Sequence, residues 1–482
     1  MSSVANDAPI YQLSYDLLLH IFEDNAHMFA DDSALITTLA ASQVCQHWRS
    51  FMLATPSLWG KLLDFDVLDR STGEGYWGEE LVRRTGSSVL WIKAVKGLVK
   101  ERPNQQLALH FIKTIKDHFH RVEILVVDLE LMEFARHREF WNEITSHPVP
   151  QLQCFDYTVI LDRDGRRNIV QRASYSPFPL FADDAPRLRT FRAIQFEFDL
   201  QVPWARGLRD LLVGQSTFLP TLLDALPAIE SLERLELNNI VWLAEGEDNV
   251  YLQTVHLPKL KELRLGSLHP SVCDILLDHL IIPPDCALRY TLQLSTVWFL
   301  DRNLETEITT IIRRLSEYAR RYFLHWVPTN LLLRCEKDVL CIATGTQDGL
   351  GGFYLLIESD LLHVRAQITA TFLSEFTLPE FRHVTQLRFE TEFSDEDVLL
   401  LAFFGCLSSV QILTTCCWHP HFFNFLKEKL DPQRSVFPSL KTIKLEKSKP
   451  RPGLPIEDYK NVDLSDFIGS HDGYPVEVVI SP

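Results

Sequence analysis

From Leu13 onward the apolar side chains Leu13, Leu17, Leu18, Ile21 and Phe22 alternate with Asp16, His20, Glu23 and Asp24. Spacings of four and five residues place the first set on one face of a helix. Ser14 stands where a cap would accept a hydrogen bond. Asp16 falls in the first turn, where the helix dipole favours an anion. Asp32 and Ser33 are candidate caps for a second helix, with an apolar face of Ile36, Leu39, Ala40 and Val44. A third helix is predicted from about His47, with Trp48, Phe51, Met52 and Thr55 at helical spacing. Pro56 ends it, because the residue before a proline avoids helical geometry. Fifty residues alone make a poor core, so this segment is expected to lean on its neighbour or on a partner.

After Trp59 the rhythm changes to helix, turn, strand. Residues 76–84 read as a helix and lead through Thr85-Gly86-Ser87-Ser88 into an extended run at 89–92. Residues 106–118 read as a second helix before an extended run at 122–127. Short strands with one spacing then recur: Leu152-x-x-Phe155-x-Tyr157, Leu188-x-x-Phe191, Leu232-x-x-Leu235-x-Leu237-x-Asn239, Leu260-x-x-Leu263-x-Leu265, Val384-x-x-Leu387-x-Phe389 and Leu440-x-x-Ile443-x-Leu445. Their common form is P-x-L-x-x-L-x-L. It describes a turn followed by a strand whose alternate side chains enter one core. Helical stretches at 221–226, 271–280, 308–322 and 395–404 lie between them. Strand starts fall near 122, 152, 188, 232, 260, 384, 410 and 440, farther apart than the ~20–29 residues of standard leucine-rich repeats. Residues 285–383 fit the pattern poorly, with divergent strands expected at 288–294 and 353–357. Residues 161–185 and 447–459 read as loops. The economical architecture is α/β: a small three-helix domain followed by an irregular leucine-rich-repeat-like solenoid, each unit burying its apolar face against the next. The expected divisions are a tail at 1–8, the helical domain at 9–60, a connecting helix-strand unit at 61–100, the solenoid at 101–446 and a turn-rich cap at 447–482.

Composition narrows the function. The 482 residues are 46% hydrophobic and 23% charged, an ordinary globular balance with material for a large core. The net charge of −17 argues against broad nucleic-acid binding and against docking on anionic lipid. The start MSSVANDAPIYQL has neither the basic and apolar regions of a signal peptide nor the arginines of a transit peptide. The longest apolar stretch, 398–407, is half of a membrane span. Nine scattered cysteines suit a reducing compartment. The expectation is a soluble protein of cytoplasm or nucleus, with no nucleic-acid or membrane partner.

The search for chemistry returns little. No G-x-x-x-x-G-K-[ST], H-E-x-x-H or G-x-S-x-G sequence occurs. The glycines of 345–352 read as a loop. Cys416-Cys417-Trp418-His419-Pro420-His421 lacks zinc-finger spacing. His118 with His120, and Cys335 with Cys341, are weaker still. The basic run Lys441, Lys444, Lys447, Lys449 and Arg451 and the acidic Asp183, Asp184, Asp463 and Asp466 read as solvated faces. No cofactor, metal or catalytic residue is expected.

The N-terminal segment carries a resemblance. Leu13-Ser14-Tyr15-Asp16-Leu17-Leu18-Leu19-His20-Ile21-Phe22, then Val44-Cys45-Gln46-His47-Trp48-Arg49, then Thr55-Pro56-Ser57-Leu58-Trp59, resembles an F-box. That pattern reads L-P-x-E-[IL]-L-x-x-I-F, then V-C-x-x-W-R, then a small residue before P-x-L-W. Ser14 replaces the usual proline, Asp16 the commonest glutamate, and the link between the first two helices is long. The layout as a whole is similar to the F-box families of mushroom-type fungi. The resemblance implies a non-catalytic substrate receptor of an SCF-type cullin–RING ubiquitin ligase. Its F-box would bind the SKP adaptor, and through it cullin, while the repeat region binds a target protein. It places the adaptor face on Leu13, Leu17, Leu18, Ile21, Phe22, Val44, Cys45 and Trp48. The competing readings are an interaction scaffold whose degenerate F-box is uncoupled from ubiquitination, and an enzyme with an unrecognised site.

Overall fold

The computed structural model describes residues 13–69, 76–95, 105–130, 138–160, 179–193, 199–214, 217–240, 242, 251–294, 303–336, 339–345, 352–359, 365–391, 397–416, 437–446 and 477–481. The chain is a mixed α/β protein that divides into two compact units, Met1–Thr217 with Ala228–Leu232, and Phe218–Pro227 with Glu233–Pro482. Thirteen α-helices occur among the described residues, and no sheet there closes into a barrel.

The first unit opens with α1 (Tyr15–Asn25), α2 (Ala34–Ala41), α3 (Gln46–Leu53) and α4 (Pro56–Gly60). Pro56 does more than stop α3. It occupies the first turn of α4, where its fixed φ and missing N–H cost nothing. Then follow β1 (Leu63–Asp64), α5 (Phe65–Leu68), α6 (Tyr76–Arg84), β2 (Leu90–Ala94), α7 (Gln105–His118), β3 (Val122–Glu130), α8 (Arg138–Thr145), β4 (Cys154–Ile160), β5 (Thr190–Arg192) and β6 (Asp210–Val213). The six strands lie side by side in chain order and are all parallel. Their register lines up Leu63, Ile92, Leu125, Phe155, Phe191 and Leu211 in one row, each fully buried. Period-two alternation makes this possible: every second side chain enters the core.

The P-x-L motif has a specific geometry. Its first apolar residue donates its N–H three residues back: Leu152 to Val149 O at 3.1 Å, Leu188 to Ala185 O at 3.1 Å, Leu260 to Leu257 O at 3.2 Å and Leu440 to Phe437 O at 3.1 Å. All four donors are buried. The turn thus aims a core residue inward just before each strand.

In the second unit come α9 (Leu219–Ala225), β7 (Arg234–Asn238), β8 (Val255–His256), β9 (Glu262–Gly266), α10 (Pro270–His279), β10 (Leu280–Ile281), β11 (Ala287–Leu294), α11 (Leu304–Phe323), β12 (Asn330–Glu336), β13 (Val339–Thr344), β14 (Tyr354–Ser359), α12 (Arg365–Glu375), β15 (Gln386–Thr391), α13 (Asp397–Gly405), β16 (Ile412–Cys416), β17 (Thr442–Glu446) and β18 (Glu477–Ser481). Its main sheet runs β7-β9-β11-β14-β13-β12-β15-β16-β17-β18, with β8 and β10 pairing separately. Residues 285–383, which fit the repeat poorly, contain the two expected strands, β11 and β14, and two unexpected ones, β12 and β13. β13 is antiparallel to both neighbours, so the chain meanders through β12, β13 and β14 and reverses the strand order. The 20-residue α11, about 30 Å long, carries the chain from β11 to β12, three positions along the sheet.

Asn239 ends the motif after β7, at the place where leucine-rich repeats often carry an asparagine that bonds neighbouring backbone. Here it is exposed and takes a left-handed φ of 52°, and its main-chain N–H donates to Gly266 O at 3.1 Å. Of the segment 161–185, read as a loop or insertion, residues 179–185 are described; there Leu180 and Phe181 are buried, and the Phe181 ring meets Phe155 at 5.4 Å and Trp204 at 5.7 Å. The tail at 1–8, the loop at 447–459, Cys417 to His421, Lys447, Lys449, Arg451, Asp463 and Asp466 lie outside the described residues.

Candidate protein-docking face

Helix α1 carries two apolar stripes. Ser14 Oγ caps it by accepting from Leu17 N at 3.3 Å. Leu18 and Phe22, four residues apart, face inward and are buried. Phe22 meets Trp48 edge-on at 5.0 Å and Phe51 at 5.9 Å. The neighbouring stripe, Leu17 and Ile21, is 52% and 42% exposed. A helix wide in apolar residues cannot bury both stripes against two short neighbours, so one stays outside.

The second helix behaves the same way and reverses an expectation. Its buried face is Ala34, Leu35 and Thr38, whereas Ile36 is 59% exposed. Leu39 is half-buried and Ala40 exposed. Val44, in the turn before α3, is 65% exposed. Cys45 then caps α3, its Sγ accepting from Trp48 N at 3.4 Å. Its side chain is half-buried.

Of the eight residues assigned to an adaptor face, Leu17, Ile21 and Val44 are exposed, and Leu13, Cys45 and Trp48 are half-buried. Leu18 and Phe22 belong to the segment's own core, because their stripe packs on α3, and they back the face from behind. Tyr15 was missed. It is 63% exposed and lies against His47 at 5.8 Å and Phe51 at 5.5 Å. It stands three residues before Leu18 and seven before Phe22, on their side of the helix.

The inner side of this tip is tied to the first strands. Lys93 of β2 donates to Asp32 at 2.6 Å and to Met28 O at 3.4 Å, and its Nζ lies 3.5 Å from Asp64. Burial opposes its charge, but Asp32 and Asp64 hold the ammonium above the usual lysine range. Burial likewise pushes the Asp64 carboxyl up, against the pull of Lys93. The Trp91 ring sits between His27 at 5.0 Å and Phe29 at 5.9 Å, with Lys61 Nζ 5.4 Å from its centre. Trp59 is fully buried and donates from Nε1 to Met52 O at 2.8 Å. Gly60 packs so closely on the chain entering β2 that a Cβ would lie 2.3 Å from Val89 O. Leaning on a neighbour therefore accounts for the inner side and leaves the outer stripe uncovered.

Beside the tip is a groove of about 300 Å³. Leu35, Ile36 and Leu39 of α2 form one side, Trp77, Leu81 and Arg84 of α6 the other, and Trp59 also lines it. The Arg84 guanidinium lies 4.7 Å from the Trp59 ring and 5.9 Å from Trp77. Its Nε donates to Glu80 at 2.8 Å. Hydrogen bonds from Arg83 and Arg84 hold the Glu80 carboxyl down at about 2.

The second unit offers a surface of different chemistry. Register places Arg289, Tyr354, Ala343, Leu332 and Arg388 side by side on five adjacent strands, all at half-buried positions. On one flank Glu262 lies 2.8 Å from Arg264 and 3.4 Å from Arg289. On the other, Glu390 lies 2.7 Å from Arg388 and 3.5 Å from Arg334. Two mixed-charge clusters thus border a stretch of Tyr354, Ala343 and Leu332.

Among the described residues no group of three His, Cys, Asp or Glu is placed to hold a metal, and no helix is long and apolar enough to cross a membrane. Burial pushes the thiols of Cys154, Cys286 and Cys341 up to about 12, so they pack as hydrophobes. Set against known proteins, the chain matches no family model and no curated sequence.

Proposed function

We propose that the chain is the substrate-recognition subunit of an SCF-type cullin–RING ubiquitin ligase, its F-box-like tip binding a SKP-type adaptor and its leucine-rich-repeat-like strands holding a target protein. The observation that supports this reading best is the second apolar stripe. Leu17 and Ile21 on α1, with Val44, stay exposed although the inner side of the same tip is fully engaged by Trp48, Phe51 and the first strands. Exposed large apolar side chains grouped on one short segment mark a protein contact. Burying each fully is worth roughly 1.5–3 kcal/mol, so these three supply a large part of what association costs, and the half-buried Leu13, Cys45 and Trp48 and polar contacts at the rim supply the rest. The residues also fall where the resemblance places an adaptor.

In this role the chain performs no chemistry. It raises the effective concentration of a target lysine near a charged ubiquitin-conjugating enzyme. The target surface is the row through Arg289, Tyr354, Leu332 and Arg388 in the second unit, where apolar contact and paired charges combine.

The test is co-purification of the full chain with a fungal SKP-type adaptor. Wild type retains the adaptor, and Leu17→Asp with Ile21→Asp loses it, because a carboxylate in the contact is desolvated without a partner. Both positions are exposed, so the double variant keeps its thermal midpoint within about 2 °C, as surface changes within ~0.5 kcal/mol do. A folded wild-type chain that retains no adaptor sinks the ligase reading and leaves an interaction scaffold.

A further inference from the structure

We infer that the protein covering the exposed Leu17, Ile21 and Val44 also reaches across α2 and seats a large apolar side chain, leucine or aromatic, in the groove between α2 and α6. The inference rests on the adaptor reading and extends it beyond the F-box-like segment to residue 84.

Three observations carry it. The first is continuity. Ile36 and Leu39 line the groove and also lie on the outward side of α2. A partner that covers that side meets the groove's mouth. The second is chemistry. The lining is leucine, isoleucine, valine and two indoles, with one guanidinium already stacked on Trp59 and bonded to Glu80. Such walls offer an occupant dispersion contacts and little hydrogen bonding, so a polar or charged group entering them would be desolvated without compensation. The third is size. A helix with its side chains is about 10–12 Å across, too wide to sink into about 300 Å³. What enters is one or two side chains, while the element bearing them rests on the rim.

Trp77 marks that rim. Its indole is 46% exposed beside an apolar concavity that Leu81, one turn on along the same helix face, also lines. Tryptophan and arginine around a desolvated pocket are the composition of interface anchors. The F-box-like motif ends at Trp59, so nothing in that motif points to α6.

The experiment titrates purified SKP-type adaptor into the full chain by calorimetry. Trp77→Glu puts a charge on one side of the mouth, and Leu39→Trp fills the groove from the other. Neither position is buried, and melting curves verify that both variants are folded. Each is expected to weaken binding tenfold or more, which is 1.4 kcal/mol. Trp77→Phe, which keeps an apolar ring, is expected to stay within threefold of wild type. If both groove variants bind within twofold of wild type while Leu17→Asp with Ile21→Asp abolishes binding, the groove assignment is overturned and the adaptor reading stands. Loss in only one of the two variants also overturns it. A wild-type chain that binds no adaptor overturns both.

Discussion

Phe155 shows how much of this molecule rests on single aromatic side chains. It is fully buried. Its ring stacks on Phe191 at 5.7 Å and meets Phe181 edge-on at 5.4 Å, tying two strands to a segment that reads as loop. Truncation leaves a cavity that the Phe191 and Phe181 rings cannot fill without losing their own packing. Phe155→Ala is therefore expected to lower unfolding stability by about 3–5 kcal/mol, read as a shifted urea midpoint. A loss below 1 kcal/mol would mean that the site repacks freely. The same scale separates the candidate face from the core. Leu17 and Leu18 are neighbours in sequence with identical side chains, yet one is exposed and the other buried. Residue type alone could not have distinguished them.

At the scale of elements, the strands were legible and some helix faces were not. The P-x-L-x-x-L-x-L spacing marks the strands from β4 to β17 that follow a buried turn, because turn and strand together need those apolar positions. It says nothing about β12 and β13. There Leu331-Leu332-Leu333 is a continuous apolar run, with Pro328 three residues before it instead of two, so neither period nor direction could be read. In α2, Ala34-Leu35-Ile36-Thr37-Thr38-Leu39 is apolar on more than one side. Periodicity chose Ile36 and Leu39, whereas packing buried Leu35 and Thr38. The resemblance singled out eight residues of this segment, and which of them face out and which pack inward was not legible. The strands β1, β8 and β10 are two residues each, too short for any pattern.

The contact between α6 and α7 carries a pH prediction. His110 on α7 packs where a Cβ on Gly78 of α6 would lie 2.4 Å from its Nε2. Burial holds its imidazole below the usual histidine range; the Gly78 backbone and Glu79 oppose the shift, and Lys113 adds to it. The neutral ring is the folded form. Its contribution is complete above the unfolded value of about 6.5 and is lost as pH falls towards the folded one. Burial, with Arg121 beside it, lowers His118 in the same sense. Urea midpoints at pH 7.5 and 5.5 should show wild type losing stability, and His110→Gln losing less. The difference in slope is at most about 1.4 kcal/mol per pH unit. Equal slopes would show that His110 is not held neutral.

For the whole molecule, an acidic chain with a net charge of −17 presents two surfaces of unlike character. The tip in the first unit is apolar and anchored on its inner side by Lys93, Trp59 and Trp91. The strand row in the second unit is amphipathic, with charges paired across adjacent strands. Under the proposed ligase reading, the tip would be the constant contact and the strand row the selective one. The most direct measurement is the solution mass of the full chain co-expressed with a SKP-type adaptor, by light scattering on the eluting peak. The account predicts a single species whose mass is that of the 55.6 kDa chain plus one adaptor, reverting to the chain alone when Leu17 and Ile21 are both changed to Asp. A wild-type peak at the mass of the chain alone, with the adaptor eluting separately, would contradict it.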